Sequence, residues 1–144
     1  MRFEARDLKP PVDRVKAADL VAGRCYFRVG FLDEDMVVPD LESLVFIGRD
    51  LHPEGPGLYF QDAVSFLEGK RFDPADFGGP FPAADDATDH FSFEMDDMWL
   101  DVYPERENSG VLDFERALEC LMRCSLRRQA WDGELRPIPH AATE

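Results

Sequence analysis

The chain has 144 residues, a length suited to one domain, and its 44% hydrophobic and 12% aromatic content is enough to bury a core rather than leave the chain disordered. Thirty acidic against 16 basic side chains give a formal net charge of −14, a field that repels nucleic-acid phosphates and anionic membranes. The three cysteines are too few for a disulfide framework. No apolar run approaches the roughly 20 residues of a membrane span or forms a secretory leader, so a reduced, cytoplasmic protein is expected.

Residues 1–16 are charged and interrupted by Pro10-Pro11, which reads as an N-terminal arm leading into a short helix over 12–20. A single domain over 17–135 and a two-proline tail over 136–144 complete the expected organisation. Gly23 turns the chain into a strand over 24–32, where Cys25, Phe27, Val29 and Phe31 alternate with Tyr26, Arg28 and Gly30. Residues 36–38 read as a short extended piece stopped by Pro39. A second strand follows over 43–49, and consecutive apolar residues Leu44, Val45, Phe46 and Ile47 place it centrally in a sheet.

A Pro- and Gly-rich loop from His52 leads to a third strand over 58–61, antiparallel to the second. Asp62 then caps a short helix over 63–68, closed by Gly69. The irregular stretch 69–84 carries Phe72, Phe77 and Phe81, and three rings of that size are expected to pack back as an ordered lid. Residues 91–95 and 98–103 alternate again and read as a tight hairpin with Asp96-Asp97 at its turn. After a turn at Asn108-Ser109-Gly110 comes the longest helix, 113–130, with a stripe of Phe114, Ala117, Leu118, Leu121, Met122 and Ser125 and with Trp131 anchoring its end. Strands followed by a helix predict an α+β fold: a small antiparallel sheet, able to curl into a partly open barrel, with a C-terminal amphipathic helix.

Most catalytic signatures are missing. There is no Gly-x-Ser-x-Gly elbow, Gly78-Gly79 leads into proline rather than a phosphate-binding Lys-Ser, and His52, His90 and His140 fall in loops or tail. Cys120 and Cys124, four apart on a helix, read as small hydrophobes. They sit too far apart for a disulfide and supply two ligands where structural zinc takes four. No cofactor is expected. The candidates for a hard cation are Asp85, Asp86, Asp89 and His90, which lack the Gly and distal Glu of an EF-hand loop. They support an alternative function, a small divalent-metal-dependent hydrolase using the carboxylates between positions 85 and 101.

The distinctive stretch runs from Phe72 to Glu105. It holds ten carboxylates and seven aromatic residues with no Lys or Arg. Aromatic anchors among carboxylates compose a face for a basic protein, with charge steering the encounter. The leading expectation is therefore a non-enzymatic acidic binding protein that engages a basic protein partner through Phe91, Asp96, Asp97, Trp99, Asp101 and Tyr103. Its sharper form is an inhibitor or immunity-type protein. A homodimer through Trp131 or the phenylalanine loop is a third expectation.

Overall fold

Alternating apolar residues build five strands, and both faces of their sheet are covered. The computed structural model of the chain describes residues 13–77, 81 and 90–137. The strands are β1 (Cys25–Phe31), β2 (Pro39–Arg49), β3 (Leu58–Asp62), β4 (Phe91–Met95) and β5 (Met98–Tyr103), and the helices are α1 (Ala63–Leu67) and α2 (Phe114–Arg127). All neighbouring pairs are antiparallel, in the order β1-β2-β3-β5-β4. The architecture is α+β, as the order of elements predicts.

Several local expectations change. Residues 36–38 belong to a turn closed on the Asp33 carboxylate rather than a short extended piece, with Met36 at φ 55°. The second strand begins at Pro39 rather than at 43, because its first residues pair with the end of β1: Pro39 lies opposite Phe31 and Leu41 opposite Val29. A proline at the first strand position has no ladder hydrogen bond to lose. In place of the short helix over 12–20 there is only a 3₁₀ turn, Ala17–Asp19. The backbone before it is held extended, with Val15 and Ala17 amides donating to Val111 and Glu107 carbonyls at 2.8 and 2.9 Å. Residues 13–16, read as part of an arm, thus contribute Val15 to the core.

One sheet face is concave. There Tyr26, Leu44, Phe46, Leu58, Phe60 and Tyr103 pack against Val15, Ala17, Leu20 and Val111 from the paired segments that cross beneath them. The curvature shows in Arg28 of β1, which donates to the Tyr103 hydroxyl of β5 at 3.2 Å. Two strands lie between β1 and β5 in the sheet, a spacing of about 14 Å if it were flat. The sheet curls but does not close.

The convex face carries two clusters. Phe72, Phe77 and Phe81 pack back on Tyr59, Phe93, Leu100 and Val102, as expected of three rings of that size. Over β1 lies α2, with Ala117, Cys120 and Leu121 against Phe27, Val29 and Phe31. The chain reaches that face by way of Leu112, which exchanges two backbone hydrogen bonds with Phe27 at the edge of β1. The buried stripe of α2 is rotated from the expected one: Ala117, Met122 and Cys124 are buried while Phe114 is 63% exposed. Small side chains let a helix approach a sheet closely, so alanine and the cysteines face inward. The Phe114 ring meets Phe27 only edge-on, at 6.1 Å.

Candidate functional site

The β4–β5 hairpin turns on two residues, and Asp96 and Asp97 both adopt left-handed backbone, φ 52° and 60°. That pair of angles makes the primed turn whose twist matches the strands, usually built from Asn-Gly. Carboxylates at both positions are tolerated through their short side chains, at some conformational cost. The Asp97 side chain is nearly free in solvent, and Lys70 lies 4.0 Å from it and 3.5 Å from Glu68. This lysine therefore places the end of α1 beside the hairpin tip.

Asp62 joins the two elements from the other end. Its carboxylate caps α1, accepting from the Ser65 amide at 2.8 Å and the Ser65 hydroxyl at 2.6 Å, and also accepts from the Trp99 amide at 2.8 Å. Trp99 is 53% exposed, and Val64 and Leu67 of α1 are more so. Exposed at the hairpin are Trp99 and the carboxylates Glu94, Asp96 and Asp97, and exposed on the α1 segment that Asp62 ties to it are Val64, Leu67 and Glu68.

Burial alone would raise the Asp62 pKa, but the hydrogen bonds from Ser65 and Trp99 outweigh it and hold the carboxyl below its ordinary 3.8. A depressed folded-state pKa gives stability that is present above the unfolded value and lost as pH falls through the folded one. Asp62→Ala should accordingly cost about 1 kcal/mol at neutral pH, the scale of a lost N-cap interaction. The gap from wild type should shrink as pH falls below about 4, where the unfolded carboxyl takes up its proton, and level off once pH has passed below the lower native pKa. Urea titrations at pH 7 and at pH 3 measure both; a gap independent of pH would refute the capping role.

The remaining residues named from the sequence separate by strand alternation. Phe91 lies on the convex face, packed edge-on against Phe81 at 5.9 Å, away from the hairpin surface. Asp101 and Tyr103 face the concave side. Asp101, only 4% exposed, accepts a hydrogen bond from Ser92 opposite it on β4. Trp99 alternates onto the same face as Asp101 and Tyr103 but is 53% exposed beside Asp96 and Asp97, while Asp101 and Tyr103 are buried and belong to a second constellation.

That second group centres on Arg28, which the sequence marks only as a charge in mid-strand beside Tyr26. Its guanidinium pairs with Glu42 on β2 and contacts the Tyr103 hydroxyl and His90 Nε2. Since arginine only donates, Nε2 is the acceptor in this contact. The His90 ring stacks on Tyr103 at 4.5 Å. Burial opposes the Arg28 charge, but Tyr103, Glu42 and Asp101 outweigh it and raise the pKa. Burial also pushes the Tyr103 phenol up, with Arg28 opposing.

Of the cation candidates, Asp85, Asp86 and Asp89 lie outside the described residues, and His90 is engaged with Arg28. Among the described residues no three His, Cys, Asp or Glu side chains are grouped as metal ligands. Cys25, Cys120 and Cys124 are free thiols, and burial raises the Cys120 pKa although Arg14 and Arg123 oppose it, the reverse of an activated nucleophile. No helix among the described residues is long and apolar enough to cross a membrane. Comparison with protein-family models, curated proteins and solved structures finds no match to this chain.

Proposed function

We propose that the protein is a non-enzymatic binding protein whose hairpin–α1 surface docks a positively charged protein partner, with inhibition of a basic enzyme or toxin as the sharper form. The observation that carries this reading is the hairpin tip itself. Two carboxylates occupy left-handed backbone positions that would more cheaply take Asn-Gly, next to a tryptophan left half in solvent. Trp99, with Val64 and Leu67 exposed on α1, supplies apolar anchors, and Glu68, Glu94, Asp96 and Asp97 supply a mainly acidic rim in which Lys70 pairs with Glu68 and Asp97. Tryptophan is the residue type most enriched among interface hot spots, and rim charge mainly sets the rate and salt dependence of association.

The test separates the two contributions. Charge reversal is made at Glu94, Asp96 and Asp97, all exposed, and spares Asp101, whose burial would confound binding with folding. Against a basic protein captured from source-cell lysate at low salt, Glu94→Lys/Asp96→Lys/Asp97→Lys should slow association about 10- to 100-fold and flatten its salt dependence. Trp99→Ala should instead speed dissociation by about 30-fold, the equivalent of roughly 2 kcal/mol at a hot spot. Surface plasmon resonance at two ionic strengths reads both. An unchanged association rate and salt slope in the triple variant would remove this surface from the interface.

A further inference from the structure

A second site of opposite charge lies where β1 meets the segment after β5. A cavity of about 390 Å³ opens there, and its wall includes Arg14, Arg28, Arg106, His90 and Tyr103. Acidic residues outnumber basic ones 30 to 16 in this chain, yet among the described residues no carboxylate lines the cavity. Of the nearby acids, Asp13, Asp19 and Glu107 share a neighbouring opening with Arg14, Glu105 and Glu107 share another with Arg106, and Glu42 and Asp101 are engaged elsewhere. Glu42 takes the Nη2 edge of Arg28, Nη1 donates to His90 Nε2 and the Tyr103 hydroxyl, and Asp101 is turned toward Ser92.

We propose that this cavity binds the phosphate group of a small molecule. Three guanidinium groups arrive from three separate parts of the chain: Arg14 before the 3₁₀ turn, Arg28 from β1 and Arg106 from the segment after β5. One arginine already satisfies a planar carboxylate in a fork. Donors spread around a cavity match instead the several oxygens of a tetrahedral dianion, and the Tyr103 hydroxyl adds an uncharged donor. The volume lies near the lower end of the range for small-molecule pockets, enough for a phosphomonoester with a compact body. Arg28 is built in beforehand by Glu42, Tyr103 and His90, so little side-chain freedom is lost there on binding. The site does not depend on the hairpin surface binding a basic protein.

The experiment titrates the full chain at constant ionic strength with inorganic phosphate, glycerol phosphate, succinate and glycerol. Binding is followed by calorimetry and by amide chemical shifts. Glycerol phosphate should saturate, moving the Gly30, Ser109 and Gly110 amides that line the cavity. Arg14→Gln and Arg106→Gln, neither of them in the buried core, should each weaken it at least 10-fold, while Arg128→Gln on the far end of α2 leaves it unchanged. Succinate binding more tightly than glycerol phosphate would overturn the phosphate assignment. No saturable binding by about 20 mM, or binding undiminished in the Arg14 and Arg106 variants, would overturn the site itself.

Discussion

Phe60→Ala should lower the stability of the fold by about 3–5 kcal/mol, the cost of deleting a fully buried aromatic side chain from a packed core. Phe60 lies on the central strand β3 with no solvent exposure. Its ring meets Tyr103 edge-on at 5.3 Å, Tyr26 edge-on at 6.5 Å and Phe46 tilted at 5.4 Å. Each neighbour sits on a different strand, so collapse around the vacancy would require β1, β2 and β5 to move together, and most of the cavity should persist. Phe60→Leu, which retains much of the volume, should cost less than about 1.5 kcal/mol. Urea unfolding of the two variants gives the comparison, and a loss below about 1.5 kcal/mol for the alanine variant would show that the concave core is looser than described. Because Tyr103 leans on Phe60, the alanine variant should also loosen the contact between Arg28 and the Tyr103 hydroxyl.

Gly57→Ala should be nearly as damaging, by about 3 kcal/mol, through a different mechanism. A Cβ at this position would stand 2.3 Å from the Tyr103 carbonyl oxygen, a backbone atom that cannot rotate aside, and the residue has φ +140°, a region nearly restricted to glycine. Gly57 also closes the loop between β2 and β3, exchanging hydrogen bonds with Asp50. Gly23→Ala provides the control. It has a positive φ too, +86°, but nothing within 4 Å of the added carbon, so it should cost only about 1 kcal/mol. If the two variants melt at the same temperature, close approach to β5 is not what glycine serves at position 57.

Much of the fold is legible in the residues because the strands obey simple alternation and the turns carry their own chemistry. The Asp96-Asp97 hairpin, the Asp62 cap and the return of Phe72, Phe77 and Phe81 to the sheet follow from local pattern and from the cost of exposing large rings. Strand order is another matter. β5 inserts between β3 and β4 through pairings such as Phe60 with Asp101, which no local signal encodes. The same holds for the site residues. Asp96, Asp97 and Trp99 lie at a turn whose geometry is set within a few positions, so their exposure is readable. Asp101 and Tyr103 have an identical surrounding composition, but segments from both ends of the domain cover their face. Arg28 and His90, 62 positions apart, meet only because the sheet curls.

The insertion of β5 has a consequence for how the chain folds. β1, β2 and β3 are joined in succession, and β4 and β5 form a hairpin with a two-residue turn, so each group can assemble from local contacts. Their union depends on β3 finding β5 across the phenylalanine loop, a search that pays loop-closure entropy before any pairing rewards it. The slow step of folding is therefore expected to be the docking of these two pieces. Until it is complete, the inner edges of β3 and β5 stand open to other chains, and a nascent polypeptide halted before β4 presents the whole edge of β3 as a template for misassembly.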